Sequence, residues 1–537
     1  MSVPTAARTE EGRGAKPRRR RPPLVLGGLA GLVVAAMALP LVYLVVRSFE
    51  GGWGGIADVV LDAETLAVLG RSALLAGAVT AASVAISVPL AWLTGRTDLP
   101  GKRVWAVLAA LPLVIPSYVG GFVLVSVLGP RGMLQGWLEP FGVERLPEIY
   151  GFPGAALALT LFSYPYVFLT VRGALRGIDP AMEEAARSLG SGAWATFARV
   201  TLPQLRPGIV AGALLVALYC LSDFGVVSLL QYESFSNEIY VQYRSAFDRT
   251  PAAILALMLV ALTVAVLLVE GRTRGRARYH GNAASRPATT VSLGRWKWPA
   301  LLFCGAVVLF ALVAPVGVLG FWLVRGLAEG EPLRPLWTAA WSSVYASGLA
   351  AAVTALAALP VAILSVRFGG RVPGLVEKAT YLGYALPGIV LALSLVFFGA
   401  NYAPWAYQTL GLLVFAYAIH FLPQAVGSTR SALLQVKPSV EEAARGLGRG
   451  PARVAATVTA PLAGSGILAG AALVFLTTMK EVPATLLLGP TGFETLATRV
   501  WGATSEAFFA RAAAPALLLV GISAVPLYLL VIREGSR

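Results

Sequence analysis

The sequence predicts an all-α integral membrane protein with about twelve transmembrane helices, arranged as two parallel six-helix repeats. Two observations lead to this fold class. Hydrophobic residues form 57% of the 537-residue chain and charged residues only 13%, whereas roughly a quarter of the residues in soluble domains are charged. In addition, the polar stretch at 179–190 has a second copy at 437–448. A chain this apolar belongs in a bilayer, and its two halves repeat one unit.

The duplication extends well beyond these polar stretches. Glu183 and Glu441 lie 258 residues apart (441 − 183), and further pairs share that offset: Pro165 with Pro423, Arg172 with Arg430, Gly190 with Gly448, Pro203 with Pro461, and Ile209 with Ile467. Earlier in each repeat an offset of 271 relates Pro89 with Pro360, Arg96 with Arg367, and Pro116 with Pro387. The first repeat therefore contains 13 additional residues (271 − 258) after Pro116, in an outward loop where insertions cost least.

Six segments of each repeat are long enough to cross a membrane, for which a helix needs roughly 20 apolar residues. They are 24–46, 68–94, 104–128, 155–175, 208–230 and 252–269, then 299–324, 343–366, 376–399, 406–426, 466–488 and 511–532. The first segment is too long for the apolar region of a signal peptide, which has roughly 7–15 residues. We therefore expect it to be a retained transmembrane helix.

The basic residues predict the orientation and the domain limits. Arginine and lysine concentrate at the N-terminus and in alternate loops, and such loops stay on the cytoplasmic side. Both termini are therefore predicted to be cytoplasmic. The expected divisions are a basic tail at 1–23, the first half at 24–269, a linker at 270–298, the second half at 299–532 and a tail at 533–537. The net charge of +16 follows from these loops and does not indicate nucleic-acid binding.

Each polar stretch is predicted to form a short cytoplasmic helical hairpin. Asp179 before Pro180 is typical of an N-cap followed by proline at the first helical position. In the second copy Ser439 and Glu442 have capping-box spacing, so that the helix is expected to begin a residue or two later. A second short helix should follow at 193–201 and at 451–459.

Glycine and proline mark the ends of these predicted helices. Gly190 and Gly448 suit the left-handed residue that terminates the first helix. Pro203 and Pro461 should terminate the second. A single such hairpin is compatible with a purely structural role at the membrane surface. Two copies at a constant offset favour a docking element for a partner that is itself two-fold.

The motif Glu-Glu-Ala-Ala-x-x-x-Gly in both hairpins resembles the coupling loop of the permeases of bacterial ATP-binding-cassette importers, and the resemblance covers residues 68–532. It implies a type I importer permease fold, with both halves fused in one chain and coupling loops at about 178–209 and 436–467. Two copies of a cytoplasmic ATPase and a periplasmic or extracellular substrate-binding protein are the implied partners. The implied ATPase-docking residues are Glu183, Glu184, Ala185, Gly190, Glu441, Glu442, Ala443 and Gly448.

The segments 221–225 and 480–485 are equivalent under the offset of 258, and in a fused chain they look most like those of ferric-iron permeases. Fused permeases for thiamine, phosphonates or polyamines are the alternatives within the same class. A secondary transporter driven by an ion gradient is the alternative of a different class, although such carriers need no duplicated docking hairpins. The expected location is the cytoplasmic membrane of a bacterium.

Three charged residues, Asp223, Lys480 and Glu481, lie within predicted spans, where an unpaired charge is costly. They are therefore expected to face the protein interior. One interpretation places them along the translocation path, and the other is a structural ion pair between Lys480 and one of the carboxylates. His420 is either a satisfied interior residue or a metal ligand.

The sequence also argues against an enzyme and against a resident cofactor. It has no phosphate-binding loop of the Gly-x-x-x-x-Gly-Lys-Ser/Thr type and no His-Glu-x-x-His motif. Cys220 and Cys304 both lie in apolar runs, so neither a disulfide nor a metal site is expected. No catalytic residue is predicted, and ATP is expected to bind to the separate ATPase subunit.

Overall fold

The computed structural model describes residues 23–245, 249–273, 290–331, 334–368, 370–380, 383 and 386–535. Three parts of the predicted divisions lie outside the described residues: 1–22 of the tail 1–23, 274–289 of the linker 270–298, and 536–537 of the tail 533–537. Within the described ranges the chain is α-helical, with one isolated β-bridge between Thr97 and Val291. The predicted all-α fold class is confirmed.

The helices of the first repeat are α1 (Leu24–Phe49), α2 (Gly52–Val60), α3 (Ala63–Arg96), α4 (Lys102–Leu108), α5 (Ser117–Leu128), α6 (Met133–Leu138), α7 (Phe152–Arg176), α8 (Pro180–Ser188), α9 (Ala193–Thr196), α10 (Leu202–Ser222), α11 (Gly225–Leu229), α12 (Phe235–Ser245) and α13 (Thr250–Thr273). Short 3₁₀ turns occur at Leu111–Val114, Glu139–Phe141 and Gly294–Trp296.

The helices of the second repeat are α14 (Lys297–Val308), α15 (Ala314–Ala328), α16 (Arg334–Arg367), α17 (Arg371–Thr380), α18 (Gly388–Tyr402), α19 (Leu410–Gln435), α20 (Pro438–Gly446), α21 (Pro451–Val454), α22 (Ala460–Met479), α23 (Pro483–Leu488), α24 (Leu496–Ser505) and α25 (Phe509–Gly535). Turns of π-helix occur at Phe197–Thr201, Leu309–Val313 and Ala455–Thr459.

Eleven helical segments of the described chain are long and apolar enough to cross a membrane, and they overlap eleven of the twelve predicted spans. The exception is the predicted span 376–399, where α17 ends at Thr380 and α18 begins only after Pro387 and has 15 residues. The predicted span 104–128 is interrupted in the same way, since α5 begins after Pro116. A proline disfavours the helical conformation of the residue before it, which agrees with the extended backbone of Ile115 before Pro116.

Three long helices in each repeat form a tight bundle, α3 with α7 and α10 in the first half and α16 with α19 and α22 in the second. Glycines permit the close approach. A Cβ atom on Gly212 would lie 2.6 Å from the Cα of Val167, and one on the equivalent Gly470 would lie 3.1 Å from the Cα of Ala425. Because lipid provides no hydrophobic force between helices, small residues at such contacts allow the packing that holds them together.

The first membrane helix of each repeat packs across the boundary between the halves. Helix α1 contacts α16, α17 and α18 of the second repeat, and α15 contacts α5 of the first. Apolar side chains from both repeats belong to one continuous buried cluster. The two halves therefore enclose a common interior.

The fifth and eleventh spans are broken, whereas the sequence analysis expected them to be continuous. Helix α10 ends at Ser222 and α11 begins at Gly225, while α22 ends at Met479 and α23 begins at Pro483. Non-helical backbone at membrane depth is tolerated only where it is buried in protein or lines a cavity. Hydropathy alone did not reveal the breaks because apolar residues flank them on both sides.

Candidate functional site

The two predicted hairpins are present, and their first helices, α8 and α20, begin at equivalent residues. The Asp179 side chain accepts a hydrogen bond from the N–H of Ala181 at 3.0 Å, which is the predicted N-cap. In the second copy Lys437 precedes Pro438 without a side-chain cap. The later start expected from Ser439 is therefore wrong, because Pro438 already fixes a helical φ at the first position.

The ends of the hairpin helices differ in one respect from the prediction. Gly190 and Gly448 have φ values of +87° and +81°, as expected for left-handed terminators. Neither Pro203 nor Pro461, however, ends the second helix, since the chain passes through the π-helical turns at Phe197–Thr201 and Ala455–Thr459 directly into α10 and α22. Pro203 lies in the first turn of α10, where its missing N–H costs little.

In the first hairpin, the first of the two adjacent glutamates of the motif is buried. Glu183 is only 4% exposed, and its Oε1 accepts a hydrogen bond from Thr201 Oγ1 at 2.8 Å. Its Oε2 lies 3.7 Å from Nε of Arg96, the last residue of α3. The Arg96 guanidinium also donates to the carbonyl oxygens of Leu175 and Ile178, at 3.0 and 3.1 Å.

The second hairpin repeats this network with equivalent residues. Glu441 is also 4% exposed and accepts a hydrogen bond from Thr459 at 3.0 Å. Arg367, the last residue of α16, lies 2.9 Å from the Glu441 carboxylate and donates to the carbonyl of Val436 at 3.0 Å. Arg445 adds a salt bridge to Glu441 at 3.5 Å. In the sequence, Arg96 and Arg367 form a matched pair of the two repeats but show no further signal of a role.

The other predicted docking residues lie on the outer face of the hairpins. Glu184, Ala185 and Gly190 are exposed, as are Glu442, Ala443 and Gly448. Two apolar side chains that the sequence analysis did not single out accompany them, since Leu189 is 86% exposed and Leu447 is 84% exposed. The docking assignment stays a prediction, but its residues divide into a buried pair of carboxylates and an exposed surface.

A cavity of about 410 Å³ lies between the two repeats. Its lining combines the breaks after α10 and α22 with the beginnings of α5 and α18, so that equivalent segments of both halves face one another. The three predicted charged residues, Asp223, Lys480 and Glu481, all line it. The structure therefore brings together residues that are up to 258 positions apart in the sequence (481 − 223).

Each carboxylate caps the short helix that follows it. Asp223 Oδ1 accepts a hydrogen bond from the N–H of Val226 at 2.9 Å, and Glu481 Oε1 accepts one from Ala484 at 3.4 Å. A Cβ atom on Gly388 would lie 2.6 Å from Glu481 Oε1, so a larger residue at this position would require the carboxylate to shift. Backbone N–H groups at a helix start supply partial positive charge but no full countercharge.

Lys480 does not form the alternative ion pair. Its Nζ donates a hydrogen bond to the carbonyl oxygen of Leu113, in the other repeat, at 2.9 Å. Neither Asp223 nor Glu481 lies within 4.0 Å of a cationic side chain of the described chain. The cavity therefore carries two acidic side chains with no salt-bridge partner, and its one lysine is held by a backbone carbonyl.

Two of the other polar side chains in the cavity lining contain a buried polar atom with no hydrogen-bond partner among the described residues. These atoms are the hydroxyl oxygen of Tyr118 and Nδ1 of His420. The described residues contain no cluster of three or more histidine, cysteine or acidic side chains able to hold a metal ion. Tyr118 carried no signal in the sequence, because its equivalent in the second repeat is Ile389 (118 + 271).

Comparison with known proteins places this geometry in a family. The family model described as "Binding-protein-dependent transport system inner membrane component" matches residues 87–278 and again residues 355–533. An Fe(3+)-transport system permease protein of Haemophilus influenzae is 34% identical over 517 residues, which cover 95% of this chain and 98% of the relative.

Less similar relatives are named for the same cargo or for a different one. A ferric transport system permease protein of Actinobacillus pleuropneumoniae is 25% identical over 447 residues, or 78% of this chain and 64% of its own length. A sulfate transport system permease protein of Escherichia coli is 29% identical over 250 residues, or 45% of this chain and 89% of its own length. The sulfate relative is thus similar to about half of the chain.

Proposed function

The chain belongs to the family of binding-protein-dependent transport system inner membrane components, and we propose that it is the permease through which an ATP-driven importer passes ferric iron. It is a multi-pass membrane protein with two copies of the family unit. In the proposed arrangement a binding protein delivers the cargo on the outer side. Two ATPase subunits bind the two cytoplasmic hairpins and drive alternating access.

The observation that carries the proposed cargo is the charge of the cavity. Asp223 and Glu481 face it from equivalent positions and have no salt-bridge partner among the described residues. They outnumber the one lysine of the lining, Lys480, whose Nζ donates to the Leu113 carbonyl. Buried charges without a partner are costly, and in membrane proteins they mark ion pathways. Two carboxylates attract a metal cation and repel an oxyanion. Ferric iron, the cargo named for three relatives that match most of the chain, agrees with this charge.

The duplicated hairpins support two ATPase subunits. Both hairpins have the same buried network and the same exposed face, formed by Glu184, Ala185 and Leu189 in one copy and by Glu442, Ala443 and Leu447 in the other. Two equivalent hairpin surfaces are expected to bind two equivalent sites, one on each ATPase subunit. We place the hairpins and both termini in the cytoplasm, and the chain in the inner membrane of a bacterium, because the basic loops lie on this side.

The test is uptake into proteoliposomes that contain the chain, its ATPase and its binding protein. Radioactive ferric iron, thiamine, a phosphonate, a polyamine and sulfate are compared, each with and without ATP on the ATPase side. We expect ATP-dependent uptake of iron only. ATP-dependent uptake of one of the other solutes would keep the importer and change its cargo. Uptake driven by an ion gradient without ATP would contradict the importer assignment itself.

A further inference from the structure

Each hairpin is joined to the membrane helices by three side chains, which we call the triads: Arg96, Glu183 and Thr201 in the first half, and Arg367, Glu441 and Thr459 in the second. In both, the glutamate is the centre, with arginine on one side and the threonine hydroxyl on the other. All six residues match between the repeats, the arginines at an offset of 271 and the others at 258. Both repeats therefore contain the same complete network.

The arginine of each triad joins two membrane helices to the hairpin. Arg96 ends α3 and donates to Leu175 in the last turn of α7 and to Ile178, just before α8. Arg367 ends α16 and donates to Val436, which is equivalent to Ile178. A charged hydrogen bond is roughly twice as strong as a neutral one. The start of each hairpin is thereby fixed to two helix ends.

The threonine of each triad lies at the start of a helix that reaches the cavity. Thr201 immediately precedes α10, which has 21 residues and ends one residue before Asp223. Thr459 immediately precedes α22, which has 20 residues and ends at Met479, two residues before Glu481. A helix of this length spans about 30 Å. In each half a single continuous helix therefore connects the triad at the membrane surface to a cavity carboxylate.

A π-helical turn positions the threonine in both halves. The turns at Phe197–Thr201 and Ala455–Thr459 are equivalent and end on the triad threonines. A π turn inserts one extra residue and occurs mostly at functional sites, since it is less stable than α-helix. The π turn ends on the triad threonine in both repeats. We therefore infer that placing the threonine hydroxyl against the glutamate is a stronger requirement than a regular helix.

We propose that the triads are the positioning elements that transmit movement of the hairpins to the cavity, with the Thr201 and Thr459 hydroxyls as the links to α10 and α22. The inference rests on the proposed function. When an ATPase subunit moves a hairpin, the buried glutamate pulls the threonine at the base of the helix, and the carboxylate at its far end moves with it. Without the hydroxyl the hairpin still docks, but the movement of its first helix, α8 or α20, reaches α10 or α22 only through the hairpin backbone and is transmitted poorly.

The test replaces the hydroxyl by a methyl group of similar size, in the double variant Thr201→Val with Thr459→Val. The matched control, Thr201→Ser with Thr459→Ser, keeps the hydroxyl. ATP hydrolysis and iron uptake are measured on the same proteoliposomes, with ATPase and binding protein present. We expect the valine variant to hydrolyse ATP within about twofold of the wild type but to lose about tenfold in iron taken up per ATP, whereas the serine variant retains coupled uptake.

The outcomes separate the inference from the proposed function. A valine variant whose uptake per ATP equals that of the wild type overturns the inference, and so does a serine variant that fails as badly as valine. Equal loss of folded protein, ATPase association and uptake in the valine variant also overturns it, because the hydroxyls would then be merely structural. If the wild-type complex itself takes up no solute with ATP, the proposed function fails, and the inference fails with it.

Discussion

At the residue scale, Asp223 and Glu481 are acids held inside a membrane protein by hydrogen bonds and not by salt bridges within the described part of the chain. Each caps the helix that follows it, and neither has a salt bridge among the described residues. Such an arrangement is costly for folding, because a buried charge without a countercharge loses its hydration. The cost is offset when a cation occupies the cavity. The residues are therefore expected to serve transport at the expense of stability.

Neutralising both carboxylates, by Asp223→Asn with Glu481→Gln, should lower iron uptake by about tenfold or more, equivalent to about 1.4 kcal/mol of lost cation stabilisation. The amount of folded protein should stay the same or rise, since the variant removes two uncompensated charges. Uptake and the yield of monodisperse protein are measured together, with the exposed Glu139→Gln as control. A parallel fall of yield and uptake would instead favour a structural role.

The residues of the cavity show what a sequence can and cannot predict. The equivalence of Asp223 and Glu481 followed from the repeat, and their interior position followed from the cost of charge in a bilayer. The partner of Lys480 did not follow, because Leu113 lies 367 residues away and contributes a carbonyl oxygen, which every residue has. Tyr118 gave no signal either, because the second repeat has Ile389 in its place.

At the scale of elements, the hairpins separate the two glutamates of the motif into different roles. Glu183 and Glu441 turn inward to the triads, while Glu184 and Glu442 remain on the outer face with Leu189 and Leu447. Exposed leucines beside a helix terminator are costly in water and mark protein contacts when they recur at equivalent places. The outer face is thus the surface on which an ATPase is expected to bind.

The double variant Leu189→Asp with Leu447→Asp should abolish co-purification of the ATPase, because each aspartate places a charge in an interface that requires apolar contact. Insertion in the membrane should be unaffected, since both side chains are almost fully exposed. Affinity purification from membranes with the ATPase co-expressed measures the association. The control is Trp53→Asp on α2, an equally exposed apolar residue remote from the hairpins in sequence. Unchanged co-purification would reject this face.

The helix contacts give a second prediction at this scale. Gly212→Ala should destabilise the protein by about 1–3 kcal/mol, because its Cβ atom would lie 2.3 Å from Thr170 Oγ1 and 2.6 Å from the Val167 Cα, which forces α10 away from α7. Gly470→Ala should cost less, since its nearest contact is 3.1 Å. Thermal unfolding midpoints in detergent compare the two. A larger effect at Gly470 would contradict the close approach at Gly212.

Helix existence was predictable, and helix interruption was not. Apolar length alone indicated the membrane helices, because the bilayer demands roughly 20 such residues. The breaks at Asp223 and Glu481 were hidden because the residues on either side are equally apolar. Pro203 led to the opposite error, because it predicted the end of a helix where none occurs. The preceding π turn lets the chain enter α10 without interruption. From local sequence signals, the number of membrane helices can be predicted better than the points at which they are interrupted.

The whole molecule has an approximate two-fold repeat that is broken where the halves are joined. The segment that enters the second repeat pairs with the first, since the N–H of Val291 donates to the Arg96 carbonyl at 2.8 Å and the Val291 carbonyl accepts from Asp98 at 3.1 Å. The predicted linker, 270–298, is therefore docked on the first repeat at its C-terminal part, 290–298. This contact adjoins the triad of Arg96, whereas the second triad has Arg445 as its additional partner.

Asp98 is the side chain that holds this segment. Its Oδ1 accepts a hydrogen bond from the N–H of Leu293 at 2.9 Å, and its Oδ2 lies 3.7 Å from Lys297. The Leu293 N–H, followed by the charge of Lys297, holds the pKa of Asp98 below its ordinary value. A carboxylate with a lowered pKa stabilises its contact above the ordinary pKa of about 4 and loses that contribution as the pH falls through the lowered value. The attachment should therefore persist at neutral pH.

Asp98→Ala should release the segment at neutral pH, because the Leu293 N–H and the Lys297 ammonium both lose their acceptor. Arg295 is exposed and lies between these two residues, so limited digestion with trypsin in detergent reports the release as faster cleavage after Arg295. The exposed Asp58→Ala serves as control, since it removes an aspartate elsewhere. Cleavage of the Asp98 variant at the wild-type rate would mean that the backbone pairing of Val291 holds the segment without the carboxylate. Faster cleavage would show that one aspartate fastens the second repeat to the first beside the Arg96 triad, so that the two hairpins, although alike in sequence, differ in their attachment.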